Sequence, residues 1–297
     1  VVAIYAERKI AGFMQDRLGP MEVGYYGILQ TIADLIKLFQ KEDIVPTVAD
    51  RTLFKAAPVI IFVAVLAGFA VLPLAPNWHG AAVNSSVFLL LAIVSLDVIG
   101  IIIAGWSSNN KYSVLGTMRA AAQMVSYEVP LGLSVLAVCM ICGTLDLQEI
   151  SFQQSILHQQ QYLFGIRAWA IDISDIGGIL TWNIFRMPFL FFAWVIFFIA
   201  SLAECNRTPF DLPEAESELV AGFQTEYSGF RWGVIMLAEY GMMLLVSILG
   251  AVLFFGSWNT PFPNVGVIAL ADWTSGTENT WTATAWGIFW LMGKAVV

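Results

Sequence analysis

Charge is what this sequence has least of. Only 12% of its 297 residues are Asp, Glu, Lys or Arg, while 58% are hydrophobic and the mean hydropathy is +0.75. Soluble domains carry roughly 25% charged residues, so this composition points to lipid as the solvent. Basic residues are the scarcer sign, with 14 Lys and Arg against 22 Asp and Glu, a net charge of −8. That balance excludes a nucleic-acid-binding surface, which requires clustered positive charge. Cysteine is nearly absent, and three residues make no disulfide framework. Cys139 and Cys142 spell C-x-x-C, but inside an apolar run, where they are expected to be small buried helix residues. The two histidines, His79 and His158, both fall in connections, so no metal-ligand set is visible. The sequence also lacks a phosphate-binding G-x-x-x-x-G-K-[ST] loop, a dinucleotide fingerprint and a serine-nucleophile motif. No catalytic redox centre and no bound cofactor is therefore expected in this chain alone, and any electrons have to come from another subunit.

What is present is long apolar runs. Ala56–Ala75, Val87–Trp106, Ala120–Thr144, Met187–Ala203 and Gly233–Phe255 are long enough to span a bilayer. Backbone groups in hydrocarbon must pair within their own segment, so these runs predict helices. Val1–Ala6, ending at Glu7-Arg8-Lys9, is expected to be the last turns of a further span, and Trp286–Val297 the start of another. The expected fold is therefore all-α, a polytopic transmembrane bundle in a single membrane domain over 1–297, trimmed at both ends.

The connections divide by charge. Glu7–Lys55, Ser107–Arg119 and Glu204–Arg231 hold Arg8, Lys9, Arg17, Lys37, Lys41, Arg51, Lys55, Lys111, Arg119, Arg207 and Arg231. The alternate connections hold only Arg167 and Arg186. Such a bias places the first set on the cytoplasmic side or its equivalent. Within it, Gly27–Lys41 has apolar residues at 28, 29, 32, 35, 36 and 39, the rhythm of an amphipathic helix. The segment is too short and polar to span. It either lies at the membrane interface or packs on the bundle as an ordinary surface helix. The stretch 145–186 is expected to be an outer loop with some short structure.

Ionisable groups at membrane depth are costly and usually face a protein or water-filled interior. This singles out Glu128, Glu239 and Asp97, each either functional or hydrogen-bonded to a neighbouring helix. For Asp97 the structural role is the expectation. Within the acidic loop over 204–231, the stretch Glu204–Tyr227 holds Glu204, Asp211, Glu214, Glu216, Glu218 and Glu226, opposed only by Arg207. After the breaks at Pro209 and Pro213, Glu214 and Glu218 are expected at i, i+4 on one helix face. Close carboxylates titrate as a coupled set and can store protons. The plainer alternative is a solvated acidic loop, which would not need the interleaved Phe210, Leu212, Leu219, Val220 and Phe223.

Seven stretches then resemble, in order, the H-type subunit of respiratory complex I, the counterpart of the first mitochondrially encoded subunit. They are Glu7-Arg8-Lys9, Arg17-Leu18-Gly19-Pro20, Gly27–Glu42, Gly105–Tyr112, Arg119–Pro130, Ala203–Ser217 and Phe223–Gly229. The resemblance implies eight transmembrane helices in the family, with this chain running from the end of the first to the start of the seventh. It implies a chamber that admits quinone, as substrate, with Arg8, Arg17, Asp34 and Phe210 on its walls. It implies a proton path along Glu128, Glu204, Asp211, Glu214, Glu216, Glu218, Glu226 and Glu239, with Tyr227 and Tyr240 beside it. Implied partners are hydrophilic quinone-reducing and iron–sulfur subunits carrying FMN and the clusters, antiporter-like membrane subunits, and lipids. The implied site is a bacterial inner membrane, or a mitochondrial inner or thylakoid membrane. Two departures stand out. Tyr25 or Tyr26 and Thr31 replace prolines common at the amphipathic helix entry, which predicts a different entry, and Asp97 matches no family acid. A homologous subunit of a membrane-bound hydrogenase is the alternative. A stand-alone transporter fits less well, since no inverted repeat is visible.

Overall fold

The computed structural model describes residues 2–76, 78, 80, 81, 83–155, 178–264, 270–274 and 280–296, with Glu214, Glu216, Ser217, Ala271 and Asp272 as backbone alone. His79, His158 and Arg167 lie outside the described residues. The elements are helices α1 (Val2–Met14), α2 (Gln30–Gln40), α3 (Arg51–Val71), α4 (Ser86–Ser107), α5 (Lys111–Cys142), α6 (Leu147–Gln153), α7 (Asn183–Arg186), α8 (Pro188–Glu204), α9 (Glu216–Leu219), α10 (Gly229–Phe254), α11 (Leu270–Thr274) and α12 (Trp281–Val296). Short 3-10 turns lie at Tyr25–Gly27, Gly178–Thr181, Leu212–Glu214 and Gly222–Gln224.

Helices α3, α4, α5 and α10 are long and apolar enough to cross a membrane, and α8 is a shorter apolar helix of 17 residues. Their outward faces are what lipid requires. Phe189, Phe192, Ile99, Val59 and Met140 all stand exposed. A soluble protein rarely shows so much contiguous apolar surface. The inward faces meet around Phe54, Leu90, Met124, Leu190 and Leu245, all buried. In lipid the packing of helices, rather than the hydrophobic effect, holds them together, and small residues permit the closest approaches. Gly100 of α4 shows this. A Cβ there would lie 2.5 Å from Cγ1 of Ile61 on α3.

Three helices begin earlier than their apolar runs suggest. Asp50 caps α3 by accepting from the backbone N–H of Thr52 and Leu53 at 3.0 and 3.3 Å. Asn110 caps α5, accepting from the Tyr112 N–H at 2.9 Å. α10 starts at Gly229. The connection expected over 107–119 therefore shrinks to a few residues. Its polar sequence stays helical because Ser113, Gly116 and Thr117 pack inward, and the Ser113 hydroxyl donates to the Phe223 carbonyl at 3.3 Å. α1 likewise does not stop at Glu7-Arg8-Lys9 but continues to Met14. Its charges find partners on neighbouring elements, so they do not break the helix.

The helix expected over Gly27–Lys41 is α2, preceded by the Tyr25–Gly27 turn. Tyr26 and Gly27 both take positive φ, and a Cβ on Gly27 would lie 2.3 Å from the Pro20 carbonyl oxygen. Glycine is therefore required there, and the chain enters α2 through this tight turn without a proline. Leu38 faces Gly233 of α10, and the rings of Phe39 and Phe230 stack at 4.9 Å. Ile32, Ile36 and Phe39 remain exposed.

The three connections expected on one side do meet at one end of the bundle. Asn109 donates to the Val48 carbonyl at 3.5 Å, Asn110 to Glu226 at 2.6 Å, and Arg231 pairs with Asp43 at 2.8 Å. The opposite end is tied by Gln154, whose Oε1 accepts from the N–H groups of Asn183 and Gly256 at 3.1 and 3.0 Å. Of the outer loop, α6, the Gly178–Thr181 turn and α7 are described, and 156–177 lie outside the described residues.

Candidate functional site

Two large cavities and one small one lie at the end of the bundle that carries the acidic loop. The largest, about 730 Å³, is walled by Glu7, Arg8, Arg17, Pro20, Gln30 and Tyr240. The second, about 410 Å³, runs between α2 and α10 and is lined by Ile4, Arg8, Asp34, Leu35, Trp232 and Tyr240, among others. Arg8 and Tyr240 stand on the walls of both.

Arg8 forms an ion pair with Asp34, and Gln30 donates to the other oxygen of that carboxylate at 3.0 Å. Partial burial pushes the Asp34 carboxyl up, but the hydrogen bonds and charge of Arg8, with Gln30 and Lys37, outweigh this and hold it below its usual 3.8. Tyr240 donates to Glu7 at 2.6 Å, Arg207 pairs with the other oxygen of Glu7 at 3.3 Å, and the guanidinium of Arg207 lies 4.7 Å from the Tyr240 ring centroid. Glu7 thus ties α1, the acidic loop and α10 together. Its role is not visible in the sequence, because only spatial proximity across more than two hundred residues reveals it.

The small cavity brings together acids from three helices: Asp97 of α4, Glu204 of α8 and Glu239 of α10. Asp97 is 7% and Glu204 3% exposed. Oδ1 of Asp97 and both carboxylate oxygens of Glu204 have no hydrogen-bond partner. Glu239 accepts from Gln224 at 2.6 Å. Glu128 of α5 accepts from the Ser95 hydroxyl of α4, and Gln123 links the Ala203 and Phe210 carbonyls at 2.9 and 2.8 Å.

The remaining predicted residues divide. Glu226 accepts from Asn110 at 2.6 Å. Tyr227 stacks on Phe54 with ring centroids 4.2 Å apart, and its hydroxyl donates to the Phe54 carbonyl at 3.2 Å. Burial pushes that phenol up to about 12 against the opposing influence of Ser107 and Arg231. Phe210 packs edge-on against Tyr127 at 5.2 Å and lines neither large cavity. Asp211 is exposed at the start of the Leu212–Glu214 turn. The shared face expected for Glu214 and Glu218 is corrected. Glu214 closes a 3-10 turn, Ala215 is non-helical with ψ 97°, and Glu218 belongs to the separate α9. Proline at 213 starts a turn but not one continuous helix. Glu218 instead pairs with Arg119 at 2.6 Å on the surface. Lys294, inside the apolar α12, is a further residue that the sequence does not single out. It donates to the Ser257 and Asn259 carbonyls at 2.8 and 2.6 Å and sits 4.5 Å from the Trp182 ring centroid. Among the described residues no group of three or more His, Cys, Asp or Glu is arranged to hold a metal ion.

This is a polytopic α-helical membrane protein with charged cavities at one end and acids buried between its helices. The chain belongs to the NADH dehydrogenase family, whose profile matches residues 1–297. It is 62% identical to the second H-type NADH-quinone oxidoreductase subunit of Cytophaga hutchinsonii, over all of this chain and 82% of that protein. It is 50% identical to the H-type NADH-quinone oxidoreductase subunit of Chlorobium luteolum, over 98% of this chain and 71% of the relative. The protein of the same name from Bacillus mycoides is 46% identical over 91% of this chain and 73% of its own length.

Proposed function

We propose that this chain is the membrane subunit of a proton-pumping NADH:quinone oxidoreductase of a bacterial inner membrane, forming part of the quinone chamber and the start of the proton path. One observation carries the reading. Tyr240 stands on the walls of both large cavities, and its neighbour in sequence, Glu239, stands on the wall of the acid cavity. Quinone entering between α2 and α10 meets an apolar slot with Arg8 and Asp34 at its edge. The redox reaction itself is supplied by electrons from hydrophilic iron–sulfur partner subunits. Charge appearing on the reduced quinone is felt by the acids behind α10. A unit charge about 4 Å from a carboxylate is worth roughly 4 kcal/mol at an effective dielectric of 20, enough to change its protonation. Proton movement then continues through Glu204 and Glu128 toward neighbouring antiporter-like subunits.

The test uses the complex purified in mild detergent and reconstituted in vesicles. Partner mass spectrometry is expected to find quinone-reducing, iron–sulfur and antiporter-like subunits. A hydrogenase catalytic subunit in their place would redirect the assignment. Glu204→Gln is expected to lower NADH-driven quinone reduction and proton translocation about tenfold or more. Electron transfer to a hydrophilic artificial acceptor should stay unchanged, with the complex at normal abundance. Parent-like turnover and pumping in that variant would rule out the proton path as drawn.

A further inference from the structure

For Asp97, a hydrogen bond to a neighbouring helix is the role expected from the sequence. The geometry does not supply that bond. Its side chain is buried, its Oδ1 has no partner, and it lines the same cavity as Glu204 and Glu239. A structural carboxyl buried between helices is held by donors. This one instead faces a small cavity that it shares with two other acids.

We propose that Asp97 is a further proton-exchanging residue of this protein, linked to Glu204 and Glu239 through one water molecule held between α3, α4, α8 and α10. The inference deepens the function proposed above and rests on it, since it takes the acids of this end to carry protons. The cavity measures about 10 Å³ for the centre of a water-sized sphere, close to the least volume that holds one water. A buried water needs two to four polar partners, and the carboxyl groups of Asp97, Glu204 and Glu239 provide them. Ile61, Ile101, Phe223, Ile235 and Met242 form apolar walls around them, and Asn206 and Cys205 complete the lining. Gly100, one turn after Asp97, lets α3 come close enough for Ile61 to form its wall.

The transfer balances without a co-reactant. Glu204 in its acid form gives its proton to the water while the water gives one of its own to the Asp97 carboxylate. Glu204 is left as carboxylate, Asp97 becomes the acid, and the water is restored. The reverse exchange, or one from Glu239, runs the same way. Three acids sharing one water titrate as a set rather than singly, so Asp97 extends the set by one proton position.

The test compares Asp97→Asn, Asp97→Glu and Glu204→Gln in the reconstituted complex, reading quinone reduction, protons moved per NADH and abundance. Asp97→Asn keeps the shape and removes the exchangeable acid. It is expected to cut proton translocation about tenfold at normal abundance, with electron transfer to the hydrophilic acceptor unchanged, and Asp97→Glu is expected to restore most of it. Parent-like pumping by Asp97→Asn while Glu204→Gln is defective overturns this proposal and leaves the acid path standing. Parent-like pumping by both overturns the path itself. Should Asp97→Asn not assemble, Asp97→Ser takes its place, with room for a second water. Failure of both to assemble makes Asp97 a structural group and also overturns the proposal.

Discussion

Asp34 and Arg8 come from helices α2 and α1, and their ion pair joins the two helices at the wall of the second cavity. Both side chains are partly exposed, so the pair contributes about 1 kcal/mol or less to stability. Asp34→Asn should therefore leave abundance and thermal stability near the parent's. It should slow quinone reduction severalfold while electron transfer to a hydrophilic acceptor persists, and equal loss of both activities would indicate misassembly instead. The pH dependence has a definite sign. Because the folded carboxyl titrates below its usual 3.8, the pair's contribution is complete above that value and is lost only as pH falls through the lowered one. Quinone turnover near neutral pH should show no titration from this group. Asp34 was singled out in the sequence through the resemblance, and its partner was not. Arg8 lies 26 residues away on a helix whose apolar run ends at Ala6. The roles of Glu7 and Lys294 escaped for the same reason. One serves to join distant elements, and the other satisfies carbonyl oxygens of a connection brought under α12.

Helix α5 is 32 residues long, about 48 Å at 1.5 Å per residue, against a hydrocarbon core of about 30 Å. It is therefore longer than a span requires, and its first turns form the bed of the acidic loop. Gly116 makes this contact possible, since a Cβ there would lie 2.6 Å from Cα of Gly222. Backbone cannot yield as a side-chain tip can. Gly116→Ala is expected to destabilise this end by about 1–3 kcal/mol, seen as a lower thermal transition of the complex and earlier proteolysis within 205–228. A variant as stable as the parent would show that the loop is not held on this surface. The sequence carries the apolar part of α5 clearly, because periodicity is strongest where lipid surrounds the helix. Its polar start was hidden, because Ser113 is buried against the loop and Thr117 against Gly105 of α4. The acidic loop was legible in composition but not in shape. Ala215 breaks it at ψ 97° and Val220 at φ 67°, so the residues divide among short turns that no spacing rule joins.

At the scale of the molecule, the basic connections gather at one end and the Gln154 network holds the other. Their orientation is open to direct measurement. The three cysteines are buried, so the parent offers no accessible background. Lys111→Cys and Phe262→Cys, both exposed positions near opposite ends, should react with a membrane-impermeant reagent from opposite faces of sealed vesicles, and labelling of both from one face would refute the topology. The bundle was legible because apolar length and charge bias are properties of single segments. The cavities were not, because each is enclosed by elements far apart in the chain. That enclosure also has a mechanical side. Glu239 and Tyr240 are consecutive on a single unbroken helix of 26 residues, and consecutive residues point about 100° apart around the axis. A rigid rod with one side chain in each compartment works as a spindle. A twist of a few degrees applied at the wall of the two large cavities turns the acid-facing wall by the same angle at the same instant, with no intervening linkage in which the motion can be lost.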